Sequence, residues 1–171
     1  RLIDNPTWIP RKPLPLPKPN ITAFNNETKK LINASFIKEV DTYDISHVAT
    51  SFMLQKGMPP HPGPDYKPQY RLVNDFRQLN QNLVPIVENT TDYWNKMHKI
   101  VTPQNKFFSQ FDITAAYNHV ALHDDFKKYC RFIGPNGRVF EWQVMPFGIC
   151  SAPTIWNGIM ARIVPKEFIH F

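Results

Sequence analysis

A carboxylate set at the end of an apolar run and followed at once by small residues can hold a divalent cation or approach a phosphate. Residues 108–117 read Phe-Ser-Gln-Phe-Asp-Ile-Thr-Ala-Ala-Tyr, with the carboxylate at Asp112 and a large aromatic at Tyr117. The apolar run at 107–113 predicts a short strand, and residues 114–119 predict a compact helix. Strand ends of this kind are where ligands bind in open α/β arrangements. The same carboxylate could instead cap the helix that follows. Two other blocks combine charge or glycine with apolar flanks. One is Tyr-Arg-Leu-Val-Asn-Asp-Phe-Arg-Gln-Leu-Asn at 70–80, and the other is Val-Met-Pro-Phe-Gly-Ile-Cys-Ser-Ala-Pro at 144–153. Alone, Met-Pro-Phe-Gly reads as a tight turn before a helix. Asp124-Asp125 reads as a helix-opening cap. His119 and His123, with Cys130 nearby, lack a fourth ligand at suitable spacing, so no zinc site is expected.

These residues need a framework. Six of the 17 prolines fall in the first nineteen residues, which predicts an extended arm packed along the body of its own protein. Asn25 or Asn26 can cap a helix over 27–38, with Ile32 and Phe36 on one face. The apolar runs at 48–54 and 70–73 predict two strands joined by a Pro-rich loop. A helix is expected at 92–101 and a short one at 124–128. Residues 129–133 and 138–144 flank Gly134-Pro135-Asn136-Gly137, a strong hairpin signal. Ser151 then caps a helix with Pro153 in its first turn, and Ile155, Ile159 and Ile163 recur as a core stripe. Residues 168–171 begin another apolar strand.

With 171 residues, 42% hydrophobic and 13% aromatic, the chain can bury a core, which excludes a disordered polyelectrolyte. No apolar stretch reaches the ~18 residues needed to span a bilayer, so no membrane association is expected. Cys130 and Cys150 make no disulfide framework and no Cys-x-x-Cys pair, which suits a reducing, intracellular compartment. The formal net charge of +6 suits polyanionic partners bound weakly and salt-sensitively. Much of the excess lies in residues 1–38, where seven Lys and Arg face Asp4 and Glu27.

In order and spacing, the three blocks at 70–80, 108–117 and 144–153 resemble the reverse transcriptase of retroviruses and LTR retrotransposons. The Met-Pro-Phe-Gly wording is more similar to the Ty3/gypsy type. The resemblance implies an α+β fold: a Pro-rich arm at 1–24, a fingers subdomain at 25–104 and an incomplete ferredoxin-like palm at 105–171. It implies transfer of a nucleotide from dNTP to a primer 3′-hydroxyl, assisted by two Mg²⁺ about 3.5–4 Å apart. The Asp112 carboxylate and the Ile113 carbonyl would be metal ligands. The Ala115 and Ala116 amides would approach the triphosphate, and Tyr117 would sit under the sugar and exclude a 2′-hydroxyl. Arg71 would pair bidentately with phosphate oxygens, and Phe147 and Gly148 would line the nucleotide pocket. For the fingers lysine, Lys67 lies too close to Arg71 and Lys56 too far, so that role stays open.

Asp75 and Arg77 would form a structural ion pair or capping set. Implied partners are an RNA or DNA template-primer, dNTP and the remaining polymerase subdomains, in the cytoplasm or a virus-like particle. The family's second acidic motif, Tyr-x-Asp-Asp, does not occur in these 171 residues. One carboxylate anchors two hard cations poorly, so activity of this chain alone is not expected. The alternative is a non-catalytic nucleic-acid-binding or scaffold module derived from such a polymerase.

Overall fold

The computed structural model describes residues 1–10, 12–41, 48–57, 67–86, 107 and 111–163. The fold is mixed α+β: a central sheet with flanking helices. Its strands are β1 (Ile37–Val40), β2 (Val48–Gln55), β3 (Tyr70–Asp75), β4 (Arg131–Ile133) and β5 (Val139–Trp142), in the order β1-β5-β4-β2-β3. The helices are α1 (Lys18–Asn33), α2 (Arg77–Gln81), α3 (Asp124–Lys127) and α4 (Ala152–Ile163), with 3₁₀ turns at Ala116–His119 and Lys128–Cys130. None of the described helices is long and apolar enough to cross a membrane.

β2 begins Val-Ala-Thr-Ser, four consecutive buried residues, as suits a strand covered on both faces. It pairs antiparallel with β3, from Thr50↔Asp75 to Gln55↔Tyr70, and parallel with β4. The expected hairpin joins β4 and β5. Gly137 takes a φ of +75°, which a side chain would resist, and its N–H donates to the Gly134 carbonyl at 3.1 Å. The core centres on Phe132, Phe140 and Trp142. Phe132 stacks on Phe140 at 5.3 Å, both fully buried, and full burial of such a ring stabilises by about 1.5–3 kcal/mol. Phe24 of α1 closes this core against Phe140. It approaches so near that a Cβ on Gly134 would stand 2.8 Å from its ring.

Glu141 is buried beneath a cross-strand set of cations. Its Oε1 lies 3.1 Å from Lys38 Nζ, and Arg131 Nε donates to Oε2 at 2.9 Å. Because Lys38 and Arg131 both pair with Glu141 in register, the ion cluster ties β1, β5 and β4 together.

Several expected boundaries are corrected. α1 starts at Lys18 rather than residue 27, so the extended arm ends at Pro17. Pro19 enters the first turn, where its missing N–H would have had no intrahelical partner. Asn25 and Asn26 lie inside the helix, and residues 34–36 turn the chain before β1, with Ser35 at φ +58°. Lys38 is therefore a strand residue. The helix at 114–119 shrinks to a 3₁₀ turn at Ala116–His119, because Ala115 is left-handed (φ 52°). Ile155 and Ile163 are exposed, Ile163 at 67%, so the stripe on α4 is not core. Of the strand expected at 107–113, residues 108–110 lie outside the described set, and 107 and 111–113 form no strand. The helix at 92–101 and the strand at 168–171 also lie outside it.

The arm packs along its own protein, as its composition suggests. Leu2 bridges Leu83, Ile3 N–H donates to the Asn82 carbonyl at 2.9 Å, and Val84 N–H donates to the Arg1 carbonyl at 3.0 Å. The Trp8 ring stacks on Tyr129 at 5.8 Å.

Candidate active site

Three segments distant in sequence meet around Gly148. The first is the turn after β5, where Met145 and Pro146 are buried and Gly148 adopts φ +95°. The left-handed backbone explains the glycine. A Cβ there would lie 3.6 Å from Phe76 and 3.7 Å from the Asn74 carbonyl, in ordinary contact. The second is the connection after the 3₁₀ turn. Ala121 bridges Val144, Met145 N–H donates to the Val120 carbonyl at 2.7 Å, and Leu122 N–H donates to the Gln143 carbonyl at 3.0 Å. This short antiparallel match sets the Ala116–His119 turn beside the 145–148 turn. As a result Tyr117 packs on Phe147 with centroids 4.9 Å apart, and edge-on to Trp156 of α4 at 6.4 Å. Phe147 keeps 56% of its surface exposed, so the pair presents an open aromatic floor.

The third segment is α2. Asn80 Nδ2 donates to the Gly148 carbonyl at 2.8 Å, and Cys150 N–H donates to Asn80 Oδ1 at 2.9 Å. One amide side chain thus holds both sides of the turn. Asn74, at the end of β3, is itself held: its Nδ2 donates to Ser51 Oγ at 3.1 Å and its Oδ1 accepts from Trp142 Nε1 at 3.0 Å. Sequence reasoning missed Asn74 and Asn80, although both lie in the 70–80 block that it singled out.

Asp112 is exposed, between exposed Phe111 and Ile113. The helix-capping role open to it is not taken, since Ala115 holds the N-cap position with no side-chain bond. Ala115 and Ala116 are half-buried. A left-handed alanine costs about 1–2 kcal/mol, and such strain gathers at functional sites. Within the 3₁₀ turn, Asn118 is buried with its Oδ1 unpartnered.

Arg71 stands elsewhere. It lines an open hollow of about 480 Å³ with Ala23, Glu27, Lys30, Lys56, Gln69 and Tyr70, a lining that excludes Asp112, Tyr117 and Phe147. The structure therefore joins Tyr117, Phe147 and Gly148, leaves Asp112 at the surface, and places Arg71 in a second, cationic feature. Lys56, excluded by sequence distance, belongs to that feature. Its N–H donates to the Gln69 carbonyl at 2.7 Å where β2 and β3 part, which brings it alongside Arg71.

Asp75 and Arg77 form a local bidentate pair, with Arg77 Nε and Nη2 donating at 2.8 Å each, and Asp75 Oδ1 also accepts the Arg77 N–H. The hydrogen bonds and charge of Asp75 raise the Arg77 pKa. The cap on α3 is His123, whose Nδ1 accepts from Asp125 N–H, while Asp124 bonds Lys127. His119 Nε2 faces the Thr114 carbonyl at 3.2 Å. Cys130 is fully buried, and burial, with Glu141 nearby, pushes its thiol pKa up. Among the described residues, no group of three or more His, Cys, Asp or Glu could hold a metal ion. Asp112, expected to ligate Mg²⁺, is not part of any such group among the described residues.

A glycine turn clamped against a strand-and-helix block thus lies beside an open aromatic floor, and a surface carboxylate precedes that floor in sequence. Residues 54–166 match the family model of the reverse transcriptase (RNA-dependent DNA polymerase), and the chain belongs to that family. It is similar to a polyprotein of Cassava vein mosaic virus, 26% identical over 156 residues, covering 91% of this chain and 23% of the relative. It is also similar to the enzymatic polyprotein of Figwort mosaic virus, 25% identical over 162 residues (94% of this chain, 22% of the relative). The enzymatic polyprotein of Cauliflower mosaic virus, strain D/H, is 26% identical over 164 residues, with 94% and 22% covered. The chain thus spans under a quarter of the length of these relatives. All three are viral polyproteins, so the family stands without the Ty3/gypsy subgroup following from them.

Proposed function

We propose that the chain is the fingers and partial palm of an RNA-directed DNA polymerase, with its nucleotide pocket at Tyr117, Phe147 and Gly148. The supporting observation is the 4.9 Å packing of Tyr117 on Phe147 beside a glycine of positive φ, in a member of this family. The aromatic floor would receive the sugar and base of a dNTP, with the Tyr117 ring leaving no room for a 2′-hydroxyl. The Ala115 and Ala116 amides would meet the phosphates. Arg71, joined by Lys56 in a hollow separate from that floor, would reach the triphosphate only if the fingers closed toward it, a guanidinium and an ammonium acting together. Asp112 would supply one Mg²⁺-ligating carboxylate, with the Ile113 carbonyl beside it. Mg²⁺, when bound, would neutralise charge on the phosphates; Mg²⁺ is ordinarily held by one or two carboxylates together with substrate phosphates. An RNA or DNA template-primer and further polymerase subdomains would complete the enzyme.

Titration with dNTP and Mg²⁺, followed by intrinsic fluorescence, tests the pocket. Binding should favour dNTP over rNTP, Tyr117→Ala should erase that preference, and Asp112→Asn should weaken the Mg²⁺-dependent part. Equal affinity for dNTP and rNTP in the unaltered chain sinks the assignment. Primer extension by the isolated 171-residue chain is expected to be absent. A scaffold module that only binds nucleic acid is the second reading, favoured by the cations in the Arg71 hollow. If a complementing C-terminal piece restores extension and Asp112→Asn abolishes it, that second reading is excluded.

A further inference from the structure

α2 is five residues long and is held from two sides. On one side Asn80 grips the Gly148 turn through the two bonds described above. On the other lies the arm. Thr7 N–H donates to Asn82 Oδ1 at 2.9 Å, and Asn82 Nδ2 returns a bond to the Thr7 carbonyl at 2.8 Å. A primary amide here satisfies both backbone groups of one arm residue, much as a neighbouring strand would. Asn82 Nδ2 also reaches the Gln78 carbonyl at 2.9 Å, so the same side chain closes the last turn of α2. With its amide flipped, Gln78 makes a matching pair of bonds to the backbone of Ile9. Trp8, between these two contacts, lines a small cleft with Phe76, Gln78, Leu79 and Tyr129. Asn82 and Gln78 are both buried, and the Thr7–Asn82 bonds are partly so, which makes an amide that loses its partner there costly.

We propose that residues 1–10 are a positioning strap. They hold α2 through Gln78 and Asn82, and α2 in turn holds the Gly148–Cys150 turn and the Phe147–Tyr117 floor through Asn80. Thr7, Trp8, Gln78 and Asn82 are then positioning residues, none of which touches the pocket itself. A helix of one and a half turns has little stability of its own. Its orientation therefore depends on what grips it. The strap rests on the proposed pocket for its functional meaning, and on the hydrogen bonds alone for its mechanics.

The test is site-resolved amide exchange without nucleotide, in the full chain and in a variant lacking residues 1–10. Removing the strap should speed exchange at Cys150, whose N–H donates to Asn80 Oδ1, by about tenfold or more while β4 and β5 keep their rates. A synthetic peptide of residues 1–10, added in trans, should restore protection. In an Asn80→Ala background, loss of the strap should add nothing further at Cys150, because the relay is already cut. Should the truncated chain not fold, Thr7→Pro takes its place, since it removes the N–H that donates to Asn82 Oδ1 and leaves α2 unaltered. Unchanged exchange at Cys150, or an equal rise throughout β4 and β5, overturns the proposal. Nucleotide titration is scored separately: its failure in the unaltered chain would refute the pocket, and the exchange result would still decide the strap.

Discussion

The Trp142 indole donates to the Asn74 side-chain carbonyl at 3.0 Å, linking β5 to the end of β3 across 68 positions of sequence. Both side chains are buried, and Asn74 also bonds Ser51 on β2. Trp142→Phe keeps most of the ring and leaves a buried acceptor without its donor, which should cost about 1–3 kcal/mol. Urea unfolding of Trp142→Phe, Asn74→Ala and the double variant measures it. The double variant should lose less than the sum of the two, because the orphaned acceptor disappears with Asn74.

Gly148→Ala should destabilise the chain by about 1–2 kcal/mol, because a left-handed backbone disfavours any Cβ. Crowding contributes little, since the nearest atoms would lie 3.6 and 3.7 Å away. Gly158, inside α4 with open space for 4 Å around the place a Cβ would occupy, is the control. Gly158→Ala should stabilise by about 0.5–1 kcal/mol. Thermal unfolding of the two variants should move in opposite directions.

The Glu141 carboxyl lies below the ordinary glutamate value of 4.5: burial pushes it up, and the hydrogen bonds from Lys38, Arg131 and Gln143 outweigh that. A folded-state pKa below the unfolded one means that stability is present above about pH 4.5 and is lost as pH falls through the folded value. Glu39, lowered by its bond to Arg138, acts in the same direction. Glu141→Gln should therefore be less stable than the parent at neutral pH, and the gap should narrow as the buffer is acidified. A gap that stays constant from pH 7 to about pH 3 would contradict the assignment.

Among the described residues, Lys30, Lys56 and Arg71 share one hollow with one carboxylate, Glu27, which pairs with Lys30 at 3.3 Å. Binding of a short oligonucleotide should weaken with salt through counterion release. If phosphates occupy the hollow, Lys56→Ala and Arg71→Ala should each reduce the log–log salt slope by about 1. Fluorescence anisotropy at several salt concentrations reads this directly, and an unaltered slope in both variants would remove the hollow from the interface.

Local chemistry determined much of this protein. The apolar run at 48–54 and the Asn-Gly turn pointed to β2 and the β4–β5 hairpin, because a short apolar run bounded by turn residues and the conformation of a tight turn are set by neighbouring residues. The meeting of the block that carries Tyr117 with the Met-Pro-Phe-Gly block was also legible, as was the packing of the arm on its own body. Boundaries set by competition were not. Pro19 looked like a helix breaker until α1 placed it in the one turn that tolerates proline. Tertiary structure alone decided the roles of Asn74, Asn80 and Asn82. Their partners lie 68, 70 and 75 positions away, and an amide side chain carries no trace of a distant carbonyl in its own neighbourhood. The pairing of Lys56 with Arg71 arose in the same way: the Gln55↔Tyr70 register, not sequence distance, sets which side chains share a hollow.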